Sequence, residues 1–343
     1  PTCTMIAYHS SYELEYIILI SAYWAILLIS NLYIPKIIIG KKRFLKNNYI
    51  LEIITIVLCV NIFFISWKFA GFRLQLDLMQ VYDIRAEARG YIPPSKLNAY
   101  LSTFADNLLP IILVYFLHIK KNIFALLIGL IIFLNFGISG TKQVILLLMF
   151  ALIGFYIFKT LKVSNYFIWG FNGLLLIGLA EFVILKTWFL TVLSTYRVFF
   201  IPAKLHYVYY NFFSQNELDY FRQSFLKIFF ESPYKENIGF LMGYEDIGDF
   251  GARANNGLFT DAYYNFGMIG VFIFPIIVVV ILKILDGSVS GLSEKFLFII
   301  TVSTSFVLLG LPFSTALFSA GIIPLVFLLY TIPRNKLSNV SKN

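Results

Sequence analysis

Between Lys186 and Asn256 the chain places Arg197, His206, Arg222 and Arg253 among seven carboxylates and a dense set of Phe and Tyr. A guanidinium group keeps its charge at all working pH values and meets phosphoryl oxygens in planar, bidentate contacts. Arginines spread along one connection therefore suit a phosphate-bearing ligand, and Lys142, in Gly-Ile-Ser-Gly-Thr-Lys-Gln, adds a cation in a separate short turn. An unperturbed histidine titrates near neutrality, so His206 is the first candidate for a general base, with Asp249 and Asp261 behind it. Asp261, in Asn-Asn-Gly-Leu-Phe-Thr-Asp, has a second reading as a first-turn carboxylate serving a helix dipole. Glu245, Asp246 and Asp249 lie close together, but their spacing matches no calcium-loop pattern, so no metal is expected.

These residues sit in a chain built for a bilayer. Of 343 residues, 59% are hydrophobic and 13% charged, which excludes an ordinary water-soluble globule. A helical span needs about 20 apolar residues, because its backbone polar groups must be satisfied within the segment. Nine stretches answer to this: 16–34, 50–67, 98–117, 122–138, 143–158, 166–185, 257–282, 296–312 and 315–332. Their hydrophobicity is continuous rather than alternating, which argues for helices over a barrel. The expected class is an all-α polytopic membrane protein, with 1–343 as one transmembrane domain and 186–256 as its single large outward loop.

Orientation follows from Lys and Arg in the short connections. Lys36, Lys41, Lys42, Arg43 and Lys46 follow the first span; Lys120 and Lys121 the third; Lys159 and Lys162 the fifth; Lys283 and Lys295 flank the turn after the seventh; and Arg334, Lys336 and Lys342 lie in the tail. With simple alternation all fall on one side, the cytoplasmic side, and the 186–256 loop faces outward. The net charge of +9 is then mostly topology anchoring, and nothing in it calls for nucleic acid. A first span running from outside to inside, in a chain that opens on Pro1, carries the expectation of further N-terminal helices.

The loop divides in two. Residues 199–234 hold 13 aromatics, and Leu218, Phe221, Phe225 and Phe229 recur at a spacing that predicts an amphipathic helix at the membrane surface. Residues 239–257 hold five glycines, a density that marks irregular backbone able to approach a ligand. Charges within spans are costly and commonly functional. Glu181 has Lys186 as a prospective partner, whereas Asp106 has none nearby.

Three segments, Ser-Gly-Thr-Lys-Gln at 139–143, Arg-Val-Phe-Phe-Ile-Pro-Ala at 197–203 and Ala-Asn-Asn-Gly-Leu-Phe-Thr-Asp-Ala-Tyr-Tyr-Asn-Phe-Gly-Met-Ile-Gly at 254–270, resemble the bacterial oligosaccharide repeat-unit polymerases of the Wzy type. The resemblance implies a multi-pass enzyme of the bacterial cytoplasmic membrane. It would join undecaprenyl-pyrophosphate-linked repeat units into O-antigen or capsule on the outer face, with no cofactor. Membrane lipid and a polysaccharide chain-length regulator are its implied partners. Arg197, Arg253, Arg222 and Lys142 would then hold pyrophosphate, and His206, Asp249 or Asp261 would take the acceptor proton. A ligase-like glycosyltransferase and a lipid-oligosaccharide flippase are the alternative readings.

Overall fold

The structure, a computed structural model, describes residues 6, 10, 12–39, 49–73, 84, 87–88, 90–91, 95–157, 163–192, 196, 199–248, 253–254 and 257–332. Among these residues the secondary structure is helical, with no strand. The main helices are α1 (Leu14–Tyr33), α2 (Tyr49–Ile65), α3 (Lys96–His118), α4 (Asn122–Ser139), α5 (Lys142–Ile157), α6 (Val163–Ala180), α7 (Ile201–Gln215), α8 (Ile238–Ile247), α9 (Leu258–Val289), α10 (Glu294–Gly310) and α11 (Ile322–Thr331). π-helical turns extend α2 (Ser66–Ala70) and α6 (Glu181–Leu185), and another (Thr315–Ser319) precedes α11.

All nine apolar stretches are helical, and the protein is of the helical membrane class. Among the described residues six helices are long and apolar enough to cross a bilayer: Leu14–Tyr33, Tyr49–Ala70, Lys96–His118, Asn122–Ser139, Ile168–Leu185 and Leu258–Val289. The other three expected spans are shorter. Helix α5 has 16 residues and α10 has 17, and the last stretch is interrupted before α11, where Gly321 has a φ of 96°.

Two compact units make up the chain, each assembled from segments distant in sequence. One comprises Pro1–Ile37, Ser164–Ile284 and Leu308–Thr315; the other comprises Ile38–Val163, Leu285–Val307 and Ala316–Asn343. In the second unit, polar side chains meet inside apolar helices. The Asn135 amide donates to the Asp106 carboxylate, so α4 supplies the partner that sequence proximity did not reveal. Asn107, one residue on, donates to the Ala320 carbonyl at 2.7 Å and accepts from Ser303 at 3.3 Å. Such bonds satisfy groups that hydrocarbon leaves unsolvated.

In the first unit, α1 and α9 run side by side in the same direction. Tyr16 and Tyr23, early in α1, lie 5.9 and 5.7 Å from Phe259 at the start of α9, and beyond the far end of α1 the Ile37 N–H donates to the Lys283 carbonyl at 3.1 Å. Lys36 and Lys283 therefore share one end, and the beginnings of α1 and α9 share the other. Helix α7 packs at that second end, its Tyr207 ring stacked on Tyr12 at 3.9 Å.

The amphipathic helix of the large connection is α7. Pro202 sits in its first turn, where a missing N–H costs nothing, and Ala203, Leu205, His206, Tyr209, Tyr210 and Phe213 form its buried face. The helix expected through Leu218, Phe221, Phe225 and Phe229 is absent; only Phe225–Ile228 is helical, as a 3-10 turn. Tyr220 and Phe221 take φ of 52° and 60°, outside the right-handed helical region. Polar side chains hold that bend. The buried Asp219 carboxylate accepts from the Gln223 N–H at 2.9 Å and the Ser232 hydroxyl at 2.7 Å, and Gln223 bonds the Glu236 carbonyl and the Ile238 N–H. Apolar spacing alone pointed to a helix; local side-chain-to-backbone bonds decided against it.

Candidate functional site

The site is built where α7, residues 253–254 and Gly257, and the first turns of α9 converge. His206 is buried on the inner face of α7, its ring 5.8 Å from Phe259 and its Nδ1 without a hydrogen-bond partner among the described residues. A Cβ added at Gly257 would lie 2.3 Å from His206 Nε2, so the backbone there reaches the imidazole only because residue 257 is glycine. Burial pushes the His206 pKa down to about 4, since charging the ring there forfeits hydration. His206 is therefore neutral at pH 7, and its enclosure corrects the expectation of a group poised to titrate near neutrality.

One turn further on α7, Tyr209 is buried against Tyr264, 5.9 Å away. Burial and then the Asp261 charge raise its pKa, while Arg253 works the other way. Arg253 itself is exposed. Its guanidinium lies over the Phe240 ring at 5.9 Å, and the Ala254 N–H beside it donates to the Gly239 carbonyl at 2.8 Å. This anchors the backbone of the arginine to α8, with its side chain laid along Gly239 and Phe240. Among the described candidates, Arg253 has the geometry of an available phosphate ligand.

The Arg222 guanidinium bonds Glu217 at 2.8 Å, the Asp219 carbonyl at 2.9 Å and the Leu218 carbonyl, and so clasps its own turn. Three of its five N–H donors are used within its own turn, which makes it a brace for residues 217–222. Asp261 is likewise enclosed. Its Oδ2 accepts from the Phe313 N–H at 2.7 Å, and Asn265 donates to its Oδ1 and its carbonyl at 3.4 and 2.8 Å. The first-turn position is as the sequence suggested, and the carboxylate ties the start of α9 to the Phe313 backbone. The cap of α9 comes from Thr260, whose hydroxyl accepts from the Gly257 N–H at 2.7 Å.

Lys142 opens α5 and belongs to the other unit. Arg197 and Asp249 lie outside the described residues. Asp246 is paired with Lys204 at 2.7 Å, a bond that ties α8 to α7. Glu181 accepts from the Thr187 hydroxyl and the Thr191 N–H, both at 3.0 Å, while Lys186 lies over the Phe182 ring.

One group escaped attention in the sequence. The Tyr207 and Tyr210 hydroxyls come close to the Glu13 carboxylate, which stands just before α1, almost 200 positions away in the chain. A Tyr-Glu-Leu-Glu-Tyr run at 12–16 looks like the polar flank of a span, and only the pairing of α1 with α7 brings it to the site.

Comparison with family models, with curated proteins and with solved structures finds no match to this chain.

Proposed function

We propose that this protein is a nine-span polymerase of the bacterial cytoplasmic membrane that joins undecaprenyl-pyrophosphate-linked oligosaccharide units on the outer face. The observation that carries the reading is the packing of α7, which continues one of the segments that hold the resemblance, against another of them at the start of α9. His206 lies on Gly257 and Phe259, Tyr209 on Tyr264, and Arg253 is exposed beside them. Placing Lys36 and Lys283 at one end of the α1–α9 pair agrees with a cytoplasmic side there and an outward side for α7.

In the proposed reaction an acceptor hydroxyl oxygen attacks the anomeric carbon of the donor glycan. The bond from that carbon to pyrophosphate oxygen breaks, undecaprenyl pyrophosphate leaves with the electron pair, and the acceptor hydroxyl proton passes to solvent water as the new glycosidic bond forms. Arg253 stabilises the charge that collects on the departing oxygen. Neutral His206 orders the floor of the site through Gly257 and Phe259.

The test is Arg253→Ala in cells, with Arg253→Lys beside it. The expected result is normal protein abundance, loss of long polymer, and retention of the product carrying a single repeat unit, with lysine intermediate because it lacks the bidentate fork. Normal polymer in the alanine variant would remove Arg253 from the reaction. A second reading, a flippase, draws on the Asp106–Asn135 and Asn107 bonds within the spans of the other unit; it predicts that its loss abolishes the single-unit product as well.

A further inference from the structure

The start of α1 adds a cluster that the pyrophosphate assignment does not use. Tyr12 and Tyr207 stack with their rings 3.9 Å apart and nearly parallel, at 4°. Tyr16 and Tyr210 lie 5.1 Å apart, and Tyr210 lies 5.1 Å from Tyr263. Tyr16, Tyr210 and Tyr263 are buried and form a floor, while Tyr12 and Tyr207 are only partly covered and form a rim. Two exposed carboxylates stand on that rim. Glu13 lies close to the hydroxyls of Tyr207 and Tyr210, and the charge of Glu15 reaches Tyr210 and Tyr263.

The composition of this basin selects its ligand. Tyrosines at a span end often anchor a protein to lipid headgroups, but two carboxylates among them repel phosphate, so neither an anionic headgroup nor the pyrophosphate itself fits. Ionised carboxylates accept strongly from hydroxyl donors. Tyrosine faces carry negative charge density that attracts polarised C–H groups. A ligand with many hydroxyls around apolar C–H faces meets both demands, and that is a sugar. An exposed carboxylate beside the ring pair keeps acceptor capacity for a ligand's hydroxyls.

We propose that Tyr12, Glu13, Glu15 and Tyr207, on the floor made by Tyr16, Tyr210 and Tyr263, form an oligosaccharide-binding subsite distinct from the Arg253 phosphate position. Its link to a lipid-borne glycan rests on the polymerase reading above; the preference for sugar over phosphate does not. Within that reading the protein holds its substrate at two chemically opposite places. A cationic one takes the pyrophosphate, and an anionic, aromatic one takes the glycan.

The experiment uses the full protein in lipid nanodiscs and two probes. One is the undecaprenyl-pyrophosphate-linked oligosaccharide extracted from cells that lack this protein; the other is undecaprenyl pyrophosphate with no sugar. Glu13→Gln and Tyr207→Ala are expected to weaken binding of the glycan-bearing lipid about tenfold or more, the size of a lost charge-assisted hydrogen bond, and to leave the sugar-free lipid unchanged. Tyr207→Phe keeps the ring on Tyr12 and loses only the hydroxyl, so it should fold as the wild type does and lose less. Equal binding of the glycan-bearing lipid by wild type and variants overturns the subsite. An equal loss for both probes also overturns it and assigns the cluster to interfacial anchoring. If wild type binds the glycan-bearing lipid, the Glu13 variant is weakened, and no polymer forms from that lipid in vitro, the subsite stands and the polymerase reading falls.

Discussion

The burial of His206 has a consequence for stability that is open to direct measurement. The folded protein holds its pKa at about 4 against 6.5 for an unperturbed imidazole, so the unfolded chain binds more protons between those values. A depressed pKa contributes stability that is fully present above pH 6.5 and is lost as pH falls toward 4. At pH 4.5 the unfolded imidazole is almost wholly protonated and the folded one mostly is not, and linkage then gives a loss of about 2.5 kcal/mol relative to pH 7.5. His206→Phe removes the titrating group and keeps a planar ring against Gly257 and Phe259. The assay is thermal unfolding of wild type and variant in the same detergent at intervals from pH 7.5 to 4.5. Other groups titrate in both proteins, so the difference between the two curves is the readout. Stability should fall more steeply on acidification in the wild type, by about 2.5 kcal/mol over the range. Parallel curves would refute the buried, neutral imidazole and return His206 to the list of exposed bases.

Two further outcomes test the packing of the site. Gly257→Ala should destabilise by about 1–3 kcal/mol through its clash with the imidazole, and adding His206→Ala should recover most of that loss; additive losses in unfolding measurements would show that the two residues do not touch. Asp261→Asn should cost about 1–3 kcal/mol in thermal unfolding, because the Phe313 N–H loses a charged acceptor; an unchanged midpoint would remove the brace assigned to it.

Composition and run length made the helices legible, since a bilayer tolerates little else. They did not reveal the break in the last stretch, because its apolar run continues through Gly321, where the backbone leaves the right-handed helical region. Arg253 was legible as a loop cation beside a span, and the structure keeps it exposed. Arg222 and Asp261 looked equally available in the sequence and are bonded within the protein. Their partners are a nearby carboxylate with main-chain carbonyls in one case and a distant N–H in the other, and main-chain groups carry no residue-type signal. Gly257 shows the converse: a glycine in a glycine-rich stretch is unremarkable until the imidazole is placed beside it. Glu13 was illegible for the simplest reason, that its relation to Tyr207 exists only after α1 has found α7.

Helix α9 has 32 residues and is interrupted at Gly267, where φ is 57° and ψ is −140°. At 1.5 Å per residue it would extend about 48 Å, well beyond the roughly 30 Å of hydrocarbon, whereas residues 268–289 alone extend about 33 Å. The part before the break carries Phe259, Asp261, Tyr263, Tyr264 and Asn265 and is held independently, by Asp261 to Phe313 and by Asn265 to the Phe221 N–H. A span tilts when the bilayer around it thins or thickens. An unbroken rod would carry that tilt into the contacts around His206 and Arg253. The non-helical backbone at Gly267 interrupts the lever, so the first turns of α9 keep their contacts while the shaft beyond the break follows the lipid.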